Sequence, residues 1–342
     1  MVNPSDDNSL DRRTVLKGTG ALGIASLAGC LGDGNGNGNG NGNGNGNGDG
    51  NGNGDGGSVI EWHAGGEGGT YFPLSNQFKS IVDEETEFSL QVQSTGASVE
   101  NVGSLDTEAA DFALIQNDIA YFARNGESLD AFEGAPVEGL RGVATLYPET
   151  IHIVIRADAD ISSLSDLEGR TVNTGDLGSG TQINALQILE SVAGLTTDDF
   201  QQQNSGFSDA SDQLQNGDID AAFVVGGWPV GAIENLATNT DITILNLSDS
   251  ERQAAKDDAS WFADDTIPAG TYAGIDEDVN TVSVQAMIAT HTGIEADTVE
   301  TIGNAIFDNV DQLSIKTDFI SRESGQDGMS IELHEGAARL YE

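Results

Sequence analysis

The chain has 342 residues, of which 56 are acidic and 13 are lysine or arginine, so its formal net charge is −43. This charge excludes a nucleic-acid-binding role, because proteins neutralise phosphates with lysine and arginine. The single cysteine excludes an intramolecular disulfide.

The acidic residues are spread along the chain rather than collected in a tail. A dispersed acidic excess with few lysines is typical of proteins adapted to high salt, where the Debye length falls to about 3 Å and self-repulsion is screened. We therefore interpret the sequence as that of a halophilic protein.

The first thirty residues have the pattern of an export signal. Arg12 and Arg13 precede an apolar run that is too short to span a bilayer. The motif LAGC, which ends at Cys30, resembles a lipobox, in which the cysteine thiol receives a lipid. We expect residues 1–30 to be a twin-arginine lipoprotein signal peptide and the mature protein to be exported and lipid-anchored at the outer face of the cytoplasmic membrane. The alternative is an uncleaved signal anchor with an incidental cysteine.

A glycine- and asparagine-rich segment follows the cysteine. It has almost no apolar side chains that could offset the entropy of ordering the chain, so residues 31–57 are predicted to be a disordered tether. Roughly 285 residues remain after it, which is enough for two α/β lobes with cores of their own.

The remaining chain alternates between strand-like and helix-like segments. This alternation predicts parallel sheets with right-handed crossovers. Strands are predicted at 59–65, 88–94, 111–116, 142–147, 149–156, 170–175, 219–227, 242–247 and 282–290, and helices at 70–83, 99–105, 117–124 and 178–194.

Several predicted strands end in a loop of small residues that begins a helix. In open α/β sheets, ligands bind beyond the carboxyl ends of the strands, where helix N-termini present free N–H groups. We therefore expect these loops to line one cleft, although each alone is also compatible with ordinary turn chemistry. None has the lysine of a phosphate-binding P-loop or the context of a dinucleotide-binding unit. The loops are GGEGGTY, STGASVEN, QND, DLGSGTQ and VGGWP.

Backbone N–H groups and hydroxyls can bind a carboxylate without adding positive charge to the protein. Arg141 and Arg156 could add a charge-assisted contact, but we favour surface ion pairs with neighbouring acids for both. The hydroxyls in or beside the loops belong to Thr70, Ser94, Thr95, Ser179 and Thr181.

Motifs along the chain resemble, in order, those of the TAXI-type substrate receptors of TRAP (tripartite ATP-independent periplasmic) transporters. They include GGEGGTYFPL, STGASVENV, ADFALIQNDIAY, SLSDLEGRTVNTGDLGSGT and LHEGAARLYE, and the resemblance covers 58–342. It implies a type II periplasmic-binding-protein fold with two α/β lobes around a ligand cleft, joined by hinge segments. We place the first lobe at 58–146 and 266–342 and the second at 147–265.

The resemblance also implies a function. Such a receptor binds a small carboxylate such as glutamate, glutamine or 2-oxoglutarate and delivers it to TRAP membrane permease subunits driven by an ion gradient. We expect a monomer without a cofactor. The alternative is a ligand-sensing receptor domain that signals to a membrane sensor protein.

Candidate ligand-binding residues are carried over from the matching motifs. Tyr71, Tyr147 and Trp228 could instead pack in the core or hinge. Glu67 stands where the family usually has a small residue or threonine, so it could point to solvent or pair with the ammonium of an amino acid. The candidates are Gly69, Thr70, Tyr71, Ser94, Thr95, Gly96, Gln116, Asn117, Asp118, Tyr147, Ser179, Gly180, Thr181, Asn184, Trp228 and Pro229.

The sequence offers no catalytic or metal-binding motif. No GxSxG elbow occurs, and Cys30 is assigned to the lipid. We therefore predict that the protein is not an enzyme and holds no metal. The four histidines, which have no metal-ligand spacing, are His63, His152, His291 and His334.

Overall fold

The structure is a computed structural model that describes residues 58–127, 129 and 131–342. The predicted signal peptide, the lipid-modified Cys30 and the predicted tether at 31–57 lie outside the described residues. They stay predictions.

The strands of the described chain form one continuous hydrogen-bonded path in the order β2-β1-β3-β10-β4-β7-β5-β6, with β8 paired to β4 and β9 to β10. Pairs among the shorter strands are parallel, whereas every pair that includes β4 or β10 is antiparallel. The expectation of parallel sheets therefore holds for the pairs among the shorter strands and is wrong for β4 and β10. The strands are β1 (Ser58–His63), β2 (Phe88–Gln93), β3 (Phe112–Gln116), β4 (Leu140–Arg156), β5 (Thr171–Asn173), β6 (Gln201–Gln203), β7 (Ala221–Val225), β8 (Ile242–Ile244), β9 (Ala263–Ile267) and β10 (Val279–His291).

Most helices begin just after a strand, as the alternation predicted. The helix predicted at 178–194 is α-helical to Ile188 and continues as a single π-helical turn over Leu189–Ala193. The helices are α1 (Tyr71–Glu85), α2 (Ser98–Asp106), α3 (Asn117–Asn125), α4 (Gly180–Ile188), α5 (Phe207–Asn216), α6 (Gly231–Asn239), α7 (Asp249–Asp258), α8 (Ala296–Asp308) and α9 (Glu335–Ala338).

Two long antiparallel strands, β4 and β10, connect the two lobes. The first part of β4 pairs with β10 in the first lobe, and its last part pairs with β7 and β8 in the second. The sequence predicted two strands here, separated at Pro148, but the structure has one. Proline is tolerated because it lies opposite Gln285, next to an irregularity of the ladder, where a missing N–H costs little.

Each lobe has apolar clusters of its own. In the first lobe, Trp62 stacks on Phe112 with ring centroids 5.6 Å apart, and Phe78 packs on Trp62 edge to face. In the second, buried residues such as Ile153 and Phe223 pack against α4 and its π-helical turn. The structure is therefore the expected two-lobed α/β fold of the periplasmic binding proteins.

The segment between β9 and β10 packs with the second lobe. Ile267, Tyr272 and Val279 belong to the same buried cluster as Val154 and Ile233. These contacts favour a return to the first lobe within β10, later than the predicted return at residue 266. The lobe boundaries themselves stay a prediction.

Candidate functional site

A cavity of about 210 Å³ lies between the lobes. The loop after β1 and the start of α2 line it from the first lobe. The starts of α4 and α5 line it from the second. Most of the predicted loops therefore meet at one cavity, whereas the loop after β7 contributes only Val225.

Five helices of nine or more residues point their N-terminal ends at this cavity. The first residues of α1, α2, α4 and α5 line it, and so does Gln116, the N-cap of α3. Four of these N-caps make no side-chain capping hydrogen bond, and only Ser179 does, to the N–H of Gln182. Free N–H groups and the positive ends of helix dipoles therefore face the cavity.

The N-cap of α2 has an unusual backbone. Ala97 has φ 70° and ψ −142°, a conformation that residues other than glycine rarely adopt. Ala97 lines the cavity, so this strained turn is part of the cavity wall.

The cavity wall contains nine of the sixteen predicted ligand-binding residues. They come from both lobes and from four separate loops. These residues are Gly69, Thr70, Tyr71, Thr95, Gly96, Gln116, Ser179, Gly180 and Thr181.

The structure does not bring the other seven predicted residues to the cavity wall. Ser94 donates to the carbonyl of Gly65, and the side chain of Asn117 bonds to the backbone of Gly328 and Gln285. Asp118 and Asn184 bond to each other. Tyr147, Trp228 and Pro229 lie near the interface of the lobes but outside the lining.

Several hydrogen bonds join the two lobes beside the cavity. Thr70 Oγ1 donates to the carbonyl of Gly227 at 3.1 Å, and the N–H of Ala232 donates to the carbonyl of Gly68 at 3.1 Å. Lys316 Nζ donates to the carbonyl of Trp228. The lobes are therefore in direct contact around the cavity.

A buried bond between α3 and α4 also crosses the cleft. Asn184 Nδ2 donates to Asp118 Oδ2 at 2.7 Å, and both side chains are buried. Burial raises the pKa of Asp118 to about 6, although the bond from Asn184 favours the ionised carboxylate.

Glu149 is a cavity residue that the sequence reasoning missed. It lies on β4, its exposed fraction is 3%, and its Oε1 has no hydrogen-bond partner among the described residues. Burial raises the pKa of Glu149 to about 8, so the carboxyl is protonated at neutral pH. The sequence signal for this residue was an acid placed directly before the apolar strand sequence TIHIVI.

Further acidic residues that were not predicted line the cavity from the second lobe. They are Asp176 and Asp209, and Glu67 lines the same cavity from the first lobe. Burial, together with the nearby charges of Asp209 and Glu100, raises the pKa of Asp176. The second lobe also contributes Gly206, Phe207 and Ser208.

The two arginines considered from the sequence make ion pairs elsewhere. Arg141 lies 3.7 Å from Glu332, and Arg156 binds Asp158 at 2.6 Å. No lysine or arginine is among the described residues that line the cavity. Positive potential from the cavity wall itself therefore comes from the backbone.

Within the described ranges, no helix is long and apolar enough to cross a membrane. Over the same residues, no cluster of three or more histidine, cysteine, aspartate or glutamate side chains could hold a metal ion.

Comparison with solved structures finds the same kind of fold at low sequence identity. A protein from Bordetella bronchiseptica RB50 has a TM-score of 0.51 at 14% identity, with 83% of this chain and 81% of that chain covered. The periplasmic aliphatic sulphonate-binding protein of Escherichia coli has a TM-score of 0.43 at 13% identity, with 83% of this chain and 82% of that chain covered. The substrate-binding protein of an amino acid ABC transporter has a TM-score of 0.44 at 15% identity, with 76% of this chain and 96% of that chain covered.

The sequence itself matches a family model. The match is to the NMT1-like family and runs from residue 63 to residue 342, so it includes both lobes and every residue of the cavity wall. The chain therefore belongs to the NMT1-like family.

Proposed function

We propose that the protein is an extracytoplasmic solute receptor that binds a small carboxylate between its two lobes. The observation that carries this proposal is the convergence of five helix N-termini on one cavity. Such ends bind anions through free N–H groups and the helix dipole. Two lobes that close on a ligand also couple binding to a change of shape, which a transport partner can recognise.

The size of the cavity suits a small organic acid. Its volume of about 210 Å³ exceeds that of the engineered 150 Å³ protein cavity that binds benzene. At the same volume per atom, a ligand with roughly eight to ten non-hydrogen atoms is of the right size. Glutamate, glutamine and 2-oxoglutarate are ligands of this kind.

The acidic side chains favour an amino acid within this class. The carboxylate would lie at the helix N-termini, and the ammonium would face Asp176 and Asp209, whose mutual repulsion it would relieve. Glu67 lines the same cavity and would add to this negative region. We therefore rank glutamate and glutamine above 2-oxoglutarate.

Thermal unfolding in molar salt tests the proposal. We expect glutamate, glutamine or 2-oxoglutarate to raise Tm, because a ligand that binds only the folded state stabilises it by mass action. Glutaramide, which has the length of the acids but no carboxylate, serves as the matched control. Absence of stabilisation by every carboxylate and amino acid of a broad panel would contradict the proposal.

Delivery to a TRAP permease of the TAXI type is the finer part of the proposal and rests on the motif resemblance. Uptake of the bound solute into membrane vesicles should need this protein and an ion gradient but not ATP. Uptake that stops on ATP depletion, while the gradient is maintained, would instead indicate an ABC transporter.

We also propose attachment to the membrane through a lipid on Cys30. The Cys30→Ser variant should be released into the medium or remain unprocessed. A variant that stays membrane-bound and is processed normally would contradict this attachment.

A further inference from the structure

We infer that Glu149 contacts the ligand directly, as a neutral carboxyl that donates a hydrogen bond to the ligand's carboxylate and so makes binding dependent on a proton. The inference rests on the proposed function, since it specifies how the same cavity recognises its anion.

The geometry supplies the first argument. Glu149 lies where β4 passes from one lobe to the other, and it lines the cavity although almost none of its surface is exposed. Its Oε1 has no partner among the described residues, and neither do Gln116 Oε1 and Tyr71 Oη, which line the same cavity. Buried polar atoms are normally hydrogen-bonded, so this group of atoms indicates that a ligand supplies the partners.

The charges around Glu149 supply the second argument. Burial raises the pKa of Glu149 to about 8, and the negative charge of Asp118 acts in the same direction. The nearby Tyr147 hydroxyl, the positive charge of Lys316 and the side-chain amide of Gln116 oppose this shift in pKa but do not cancel it. The residue opposite Glu149 on β10 is the apolar Val284. The remaining titratable groups around Glu149 are the hydroxyls of Tyr71 from α1 and Tyr147 from β4 itself, which burial keeps neutral. Asp265, which accepts a hydrogen bond from the neighbouring Thr150, and Glu234 act on Lys316.

A protonated Glu149 resolves a conflict in the cavity. An ionised carboxylate there would repel an anionic ligand held by the nearby helix N-termini. The neutral carboxyl has an O–H group, which can donate to the ligand. The bound anion therefore stabilises the protonated form of Glu149.

The direction of the pH dependence follows from linkage. Near pH 7 the carboxyl already holds its proton, so Glu149 contributes little pH dependence there. Above pH 8 binding must take up a proton, and affinity should fall by about tenfold for each further pH unit.

Calorimetric titration between pH 6 and pH 10 in molar KCl tests the inference, with 2-oxoglutarate as the first probe because it has no titrating group in this window. For L-glutamate the window ends at pH 9, where its own ammonium begins to titrate. Wild-type affinity should fall above pH 8. The Glu149→Gln variant, which always carries an N–H donor, should lose the steep fall and keep only the smaller one that deprotonation of Lys316 causes. Glu149→Ala should bind more weakly throughout.

Burial lowers the pKa of Lys316 to about 8, so Lys316 titrates in the same range as Glu149. The Lys316→Met variant distinguishes the effect of Glu149 on affinity from that of Lys316. Removing the positive charge should move the fall in affinity to higher pH without abolishing it. Loss of the pH dependence in Lys316→Met, or a fall in Glu149→Gln as steep as that of the wild type, would overturn the inference. A wild-type affinity that is constant or rises above pH 8 would do so too.

A measurement without ligand distinguishes this inference from the proposed function. In protein labelled with ¹³C at the glutamate carboxyls, one resonance should titrate near pH 8 and be missing from Glu149→Gln. If Glu149 instead titrates below pH 6 while carboxylates still bind, the receptor function stands and this inference fails. If no carboxylate binds at all, both fail.

Discussion

Gly180 lets the first turn of α4 lie directly against the side chain of Gln116 across the cleft. A Cβ on Gly180 would be 1.9 Å from Gln116 Oε1, far closer than atoms can approach. We expect Gly180→Ala to displace Gln116 or to hold the lobes apart, and so to lower carboxylate affinity about tenfold, or about 1.4 kcal/mol. Calorimetry measures this loss.

The matched control for this change is Gly103→Ala. Gly103 lies on an exposed turn of α2, where an added Cβ meets nothing within 4 Å. This variant should bind with unchanged affinity, and neither variant should unfold at a much lower temperature. Equal affinity of Gly180→Ala and wild type would show that the approach of Gln116 to Gly180 does not matter for closure.

Some cavity residues could be predicted from the sequence because their signal is local. Gly69, Thr70 and Gly180 lie in small-residue loops between a strand and a helix, and such loops line clefts for a general reason. Glu149 lies in no such loop, and the acid beside TIHIVI did not indicate a cavity, because the burial of Glu149 arises from strands and helices that are distant in sequence. Asp209 likewise follows no strand with a recognisable loop.

At the scale of elements, the bond between α3 and α4 couples the two lobes. Asn184→Asp should place two carboxylates at a buried 2.7 Å contact and drive the lobes apart, which would lower ligand affinity. The double variant Asp118→Asn with Asn184→Asp exchanges the two groups and should recover most of the affinity. Small-angle scattering should find a larger radius of gyration for the single variant only.

Two outcomes would contradict this role of the bond. Equal radii for the single variant and the wild type would mean that the bond does not influence lobe closure. Failure of the double variant to recover affinity would mean that Asp118 acts through a different contact, such as its charge near Glu149.

The main elements could be predicted because their patterns are local, whereas the long strands could not. Pro148 interrupts the apolar run of β4, so the sequence indicated two strands where the structure has one. The pairing with β10 decides this, and β10 lies more than a hundred residues further along the chain. The antiparallel direction of β4 and β10 depends on the same distant contact.

At the scale of the whole molecule, the net charge of −43 predicts a dependence on salt. Screening of self-repulsion should stabilise the fold as KCl rises from about 0.2 M to 3 M. Each kcal/mol moves Tm by about 2–4 °C in a domain of this size, so a gain of a few kcal/mol should raise Tm by about 10 °C.

A variant with fewer charges separates screening from the general effect of salt on apolar burial. Glu84→Gln, Asp106→Asn and Glu277→Gln remove three exposed acids that make no ion pair within the described residues. The triple variant should be more stable than wild type in low salt, and the difference should shrink in high salt. An equal salt dependence for both proteins would contradict the electrostatic explanation.

Lys316 connects the lobes at the side of the cavity and should hold them closed. It belongs to a segment packed in the first lobe, and its Nζ donates to the carbonyl of Trp228 in the second. The same Nζ lies 5.5 Å from the ring centroid of Tyr147 and 5.7 Å from that of Trp228. Its backbone has φ 62°, a conformation that is uncommon outside glycine, so the surrounding contacts must hold it in place.

We expect Lys316→Met to shift the population towards separated lobes. The lost hydrogen bond and cation–π contacts together are worth about 1–2 kcal/mol, so affinity should fall by up to about tenfold as the closed fraction decreases. Small-angle scattering of the ligand-free protein should find a larger radius of gyration. Lys79→Met, which removes an exposed pair with Asp83 within α1, should leave the radius unchanged. If Lys316→Met keeps both the wild-type radius and the wild-type affinity at pH 7, closure depends on the hydrogen bonds around Thr70 and Asp118 instead, because these are the remaining side-chain bonds described between the lobes at the cavity.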